Sequence, residues 1–198
     1  MRAVLGLGLL LAGWTQAGGW PEVENCDGRP TVLNPPGQIT VIMASSQPLA
    51  ETTREFGRAL YPWQGLEEFR LIVVVDLRRS LGSFVRGWTK GKMRADLDEE
   101  AIILEPWFRA RGNPRNPRGY LCAVPDFDGR VTEALGWGND EEVMKVKIFG
   151  KNGEVIWAAT EAKSPGPLTA KMEELLGPGA RPPPGAGPKK SKILLRRG

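Results

Sequence analysis

The run from Gly37 to Trp63 constrains the fold of this chain more than any other stretch. Ile39 to Met43 is a short apolar segment rich in β-branched residues. Small polar residues come next, and then Leu49, Thr53, Phe56 and Leu60 recur at a four-three-four spacing. That pattern predicts a strand, a tight turn and a helix with one buried face. Pro48 is expected in the first helical turn, where its missing N–H costs nothing, with Ser45 or Ser46 supplying the N-cap oxygen.

The later segments extend the same architecture. Phe69 to Leu77 is almost continuously apolar, as a parallel strand covered on both faces must be. Strand, helix and strand in this order form a right-handed crossover unit. Two helices are expected next, from Ser80 to Met93 and from Leu97 to about Ala110, with Pro106 kinking or ending the second. Arg109 to Gly119 reads as a loop and carries Arg109, Arg111, Arg115 and Arg118. Tyr120 to Val124 is the third core strand, and Asp126 to Arg130 turns into a short helix from Val131 to Trp137. Val143 to Phe149 and Glu154 to Ala159 flank an Asn-Gly turn signal and read as a hairpin. Pro165 to Leu176 closes the domain as a helix with Leu168, Met172, Leu175 and Leu176 on one face. This order predicts an α/β sandwich of three layers, a central mixed sheet with helices on both faces and a C-terminal β-hairpin.

Composition separates the ends from the body. Residues 1 to 17 read as a signal peptide: Arg2, an apolar run from Ala3 to Ala12, then small residues at Thr15 and Ala17. The run is too short to span a bilayer. Residues 18 to 36 hold turn formers around Val32-Leu33 and are expected to be irregular, with one edge strand. The domain proper runs from 37 to 177. Residues 178 to 198 form a Pro/Gly-rich basic tail expected to be extended and disordered. This tail holds six of the 27 basic residues, including Lys189, Lys190, Lys192, Arg196 and Arg197, and no acid. Without those six and Arg2, 20 basic residues face 23 acidic ones. The body is therefore mildly acidic, which argues against a nucleic-acid-binding role.

Two local phrases resemble the thioredoxin-like superfamily, especially its exported and peroxiredoxin-related members. Val41-Ile42-Met43-Ala44-Ser45 before a helix is similar to the strand and Ala-Ser lead-in to that family's active site. Pro125 to Val131 with Ala134-Leu135-Gly136, and later Ile148 to Val155, are similar to the two Asp-x-Asp-Gly-type turns flanking its third and fourth strands. The resemblance covers about residues 37 to 177. It implies that Gln47 and Ala50 stand where the two cysteines of a Cys-x-x-Cys would be, and neighbouring frames offer only Ser45, Ser46, Pro48 or Leu49. The family's redox chemistry needs a thiolate at a helix N-terminus, which serine cannot replace. The cis-proline that the family places opposite, here near Val143 or Met144, is also missing, because no proline lies between Pro125 and Pro165.

The remaining chemistry is sparse. The chain has no histidine, which removes Ser-His and Cys-His nucleophile pairs and most zinc sites. Ser45, Ser46 and Gln47 either cap the helix or offer a helix-start anion site, and capping is the favoured reading. Cys26 and Cys122 are the only cysteines; a structural disulfide between them and two separate thiols are both open. Asp126 and Asp128 read as a turn rather than as metal ligands. These readings lead to an expectation of an exported protein, periplasmic or secreted, with no catalytic residue, cofactor or metal. It would act as a binding or structural module of the cell envelope with a protein partner of unknown identity. The alternative is a thiol-disulfide oxidoreductase or peroxidase-like enzyme using Cys122. For the tail, weak salt-sensitive contact with an anionic membrane surface stands beside a merely solvated segment.

Overall fold

The computed structural model describes residues 21–79, 86–138, 140 and 142–180. The expected signal peptide and the basic residues of the tail lie outside them, as do Leu81, Phe84 and Val85 of the first expected middle helix. Elements run β1 Val23–Glu24, β2 Pro30–Thr31, β3 Ile39–Ser45, α1 Ala50–Ala59, β4 Phe69–Asp76, α2 Arg86–Ala110, β5 Leu121–Asp126, α3 Arg130–Ala134, β6 Val146–Phe149, β7 Val155–Ala159 and α4 Gly166–Leu176. Short 3-10 turns occupy Tyr61–Trp63 and Pro117–Tyr120.

Five strands form one mixed sheet in the order β5-β4-β3-β6-β7. β3 pairs in parallel with β4, and β4 with β5, so that Val41, Leu71 and Leu121 share a row. On its other side β3 pairs antiparallel with β6, which pairs antiparallel with β7. The alternation of a pleated strand then sorts the side chains between faces. Val41, Met43, Leu71, Val146 and Ile148 point to one face and pack against Leu49 and Phe56 near and on α1 and Leu168 and Met172 on α4. Ile42, Ile72, Val74, Cys122, Val124 and Phe149 point to the other, under Val23, Leu33 and the α3 region with Val131, Leu135 and Trp137. Near-continuous apolar strands are the result of this two-sided burial. The three expected layers are present.

The two edges of the sheet differ. The N-terminal segment lies along β5, where the Cys26 N–H donates to the Ala123 carbonyl at 2.8 Å. β7 has no strand partner on its outer side among the described residues, and Val155 and Ile156 are exposed there.

Several local expectations change. The N-terminal segment, read as irregular with one edge strand, holds a two-stranded ladder of Pro30–Thr31 and Val23–Glu24. The two middle helices are one 25-residue helix, α2. Met93 to Leu97 contains no glycine or proline, and Met93, Arg94, Ala95 and Leu97 are all good helix formers. Pro106 does not end α2, because Ala101, Leu104, Trp107 and Phe108 bury the helix end as an apolar cluster with Leu121. That packing outweighs the backbone hydrogen bond that proline cannot make.

Candidate functional site

The C-terminal ends of parallel strands, next to the point where strand order reverses, are where open α/β sheets carry ligands. Here that region is the end of β3, the turn from Ser46 to Leu49, the end of β4 and the chain entering β6. Three hydroxyls occupy it. Thr53 Oγ1 lies 3.1 Å from Ser45 Oγ and 2.9 Å from the Leu49 carbonyl, and Ser46 Oγ accepts from the Leu49 N–H at 3.3 Å. All three residues are buried.

This corrects the capping expectation. α1 begins at Ala50 with Leu49 at its N-cap position and no side-chain cap. Ser46 ties the preceding turn, Ser45 ends the strand, and Pro48 sits in the turn instead of the first helical turn. The reason is that four residues, Ser46 to Leu49, turn the chain from β3 into α1. Gln47 and Pro48 are exposed at this turn, and Ala50 is half-buried. Its hydroxyls are therefore committed inward, and only the Gln47 amide is presented outward.

Beneath the turn is a cavity of about 10 Å³, bounded by Ser45, Ser46, Asp76, Thr132, Trp137 and Lys145. It is large enough for one water. Trp137 Nε1 is buried with no hydrogen-bond partner. Lys145 is only 6% exposed, and its ammonium donates to the Asp140 carbonyl. Burial disfavours ionisation of Asp76, but hydrogen bonds and charge from Arg78, together with Lys145, outweigh it and hold the carboxyl below its ordinary value. Sequence reading missed Lys145, which it placed within the strand Val143 to Phe149 without singling it out. The strand begins only at Val146, so alternation does not govern residue 145. A lysine flanked by apolar residues just ahead of a core strand was the available signal.

The remaining candidates lie elsewhere. Asp126 Oδ1 accepts from the Gly129 N–H at 3.0 Å, and Oδ2 accepts from the Thr132 N–H at 2.7 Å and hydroxyl at 2.6 Å. Asp128 pairs with Arg130 at 2.7 Å. Both carboxylates are used by the β5–α3 turn. Three of the four arginines expected in the loop are engaged: Arg118 bridges Asp27 and Asp98 at 2.6 Å each, Arg115 reaches Glu67 at 3.1 Å, and Arg111 donates to the Pro62 carbonyl, while Arg109 is exposed in the last turn of α2. A wider cleft of about 310 Å³ separates the N-terminal segment from the start of α2 and the β5–α3 turn. Its charges are largely paired internally, Lys90 with Glu24, while Arg86 stacks 4.8 Å over Phe127.

Cys26 and Cys122 are free thiols, and both are buried. Cys122 shares a row with Ile72 and Ile42, two strands across and three residues back from Ser45. Strand spacings place it roughly 14 Å from the β3–α1 turn. Burial, and then the Asp27 charge, pushes the Cys26 thiol up; burial likewise pushes up Cys122, against the Arg70 charge.

No family model matches the chain, and no curated protein matches it. Solved structures do. dsbF from MTB, solved in mixed oxidized and reduced forms, is 12% identical with a TM-score of 0.51, over 79% of this chain and 95% of that one. The exposed lipoprotein thioredoxin Etrx1 from Streptococcus pneumoniae strain TIGR4 is 12% identical with a TM-score of 0.50, over 78% of this chain and 98% of that one. At such identities the likeness speaks for fold alone, and it agrees with the β3-α1-β4 crossover, the mixed sheet and the terminal hairpin. The chain has a thioredoxin-like fold, and its two cysteines do not form a Cys-x-x-Cys pair.

Proposed function

We propose that this chain is an exported thioredoxin-like protein that works without thiol chemistry, as a binding or structural module of the cell envelope, periplasmic or secreted. The observation that carries the reading is the composition of the β3–α1 turn. Ser45, Ser46 and Gln47 fill the place where such a fold would present a thiolate, and the hydroxyls are tied inward. Serine has neither the acidity nor the disulfide chemistry of cysteine. The two thiols present are buried, and both have raised pKa values, which is the opposite of a nucleophile's setting. Export is supported by the charged-then-apolar start of the sequence and by the description of Etrx1 as an exposed lipoprotein. No helix among the described residues is long and apolar enough to cross a membrane.

The test is an insulin-reduction and peroxide-consumption assay on the wild-type protein and on its Cys26→Ser/Cys122→Ser variant. Neither should turn over above buffer. Wild-type turnover abolished in Cys122→Ser alone would replace this reading with the enzymatic one.

A further inference from the structure

The outer face of α2 is unusual for a solvent-facing helix. Trp88, Ile102 and Ile103 are 70%, 68% and 50% exposed. Helical spacing brings Trp88, Ala95 and Ile102 near one line, with Ile103 at its flank. Acids crowd the same stretch: Asp96 to Glu105 contains five and no base. Asp98 is bridged by Arg118 and Glu100 accepts from the Tyr61 hydroxyl. Asp96, Glu99 and Glu105 are exposed and have no ion pair among the described residues. The surface is thus apolar in the middle and negative around it.

The chain beyond α4 is delivered to this helix. The Gly177 carbonyl accepts from Trp63 Nε1 at 3.1 Å, and the Ala180 N–H donates to the Pro62 carbonyl at 2.8 Å. Gly179 passes so near Pro62 that an added Cβ would lie 2.2 Å from the proline Cβ. Ala180 packs on the cluster formed by Ala101, Leu104, Trp107 and Phe108 of α2. Beyond Ala180 the sequence continues as a spacer, Arg181 to Pro188, and then as Lys189-Lys190-Ser191-Lys192-Ile193-Leu194-Leu195-Arg196-Arg197. That last segment is the complement of the helix face: an apolar triplet enclosed by cations.

We propose that Lys189–Arg197 docks on the outer face of α2 in its own chain, with Ile193–Leu195 against Ile102 and Ile103 and the flanking cations facing Asp96, Glu99 and Glu105. Eight spacer residues at polyproline pitch reach about 25 Å. The stretch from Asp96 to Glu105 is only about 14 Å long. A short tether gives the tail an effective concentration in the millimolar range at this face, which a separate partner must exceed. Docking covers the exposed isoleucines and uses the tail charges inside the molecule.

Zero-length carbodiimide cross-linking of the full chain, read by peptide mass spectrometry on the monomer fraction, tests this. Links from Lys189, Lys190 or Lys192 to Asp96, Glu99 or Glu105 are expected at low salt. They should fall about fivefold or more at about 0.5 M salt, where screening is nearly complete beyond contact distance. The same loss is expected in Ile102→Ser/Ile103→Ser, whose sites are exposed and whose fold is therefore preserved. Absence of these links, links found only between two chains, or links unchanged in the double-serine variant would each overturn the proposal. Co-sedimentation with phosphatidylglycerol vesicles by a chain that shows no such links would assign the tail to a lipid surface and overturn it as well.

Discussion

Arg78 folds back onto Asp76, with Nε 3.0 Å from Oδ1 and 3.1 Å from Oδ2, while its Nη2 donates to the Gly138 carbonyl at 3.0 Å. The pair fastens the end of β4 to the chain beyond α3, and Asp76 lines the small cavity under the β3–α1 turn. Its close packing also explains Gly129, which has φ +84° and sits so near Arg78 that a Cβ there would lie 2.4 Å from Arg78 Cδ.

Stability should depend on pH through Asp76. Its folded carboxyl lies below the ordinary value. Its contribution is therefore fully present above the ordinary carboxylate range and is lost as pH falls through the folded value. Asp76→Asn should cost about 1.5–3 kcal/mol at neutral pH and progressively less as pH falls below the ordinary carboxylate range. Urea unfolding across that pH range measures this, and an equal cost throughout would remove Asp76 from the account.

Removing the Asp126 carboxylate leaves the Gly129 and Thr132 N–H groups without their acceptor at the start of α3. Asp126→Ala should cost about 2–3 kcal/mol, and Asp126→Asn less, because an acceptor oxygen remains. Thermal melts of the two variants should rank in that order.

Phe56 is 1% exposed between α1 and the sheet. Phe56→Ala should lose about 3–5 kcal/mol, the usual result of emptying an aromatic site in a packed core. Chemical denaturation gives the value. A loss within error would mean that α1 does not cover this face.

The reduced native protein should resist maleimide labelling at both cysteines, since burial and raised pKa values deplete the thiolate that reacts. Unfolding in urea should make both label rapidly. Fast labelling of Cys122 in the folded protein would instead identify a reactive thiol and favour the enzymatic reading.

Much of the fold was legible because its strands announce themselves. Ile39 to Met43 and Phe69 to Leu77 are buried on both faces, and such runs are hard to mistake. The helix after β3 was equally clear from Leu49, Phe56 and Leu60, all of which are buried. Sequence reading failed where tertiary packing overrides local signals. The helix end at Ala110 was legible, but the two middle helices are one, and Trp107 and Phe108 are anchored in a cluster that carries α2 past Pro106. The site was only half legible. The missing cysteines could be read directly, but burial of Lys145 and the inward commitment of Ser45 and Ser46 depend on β4, α3 and β6 converging from distant parts of the chain.

The unequal edges of the sheet have a consequence for behaviour at high concentration. β5 is screened by the N-terminal segment, but β7 presents Val155 to Ala159, five residues without a charge or a proline, along a row of backbone donors and acceptors with no strand partner among the described residues. Edges of this kind recruit further strands unless something blocks them. Glu154 and Glu161 stand near its two ends, and Glu161 pairs with Lys163 at 3.6 Å. Ile156 is 38% exposed on that edge, so Ile156→Lys should raise the solubility of the protein while scarcely changing its melting temperature.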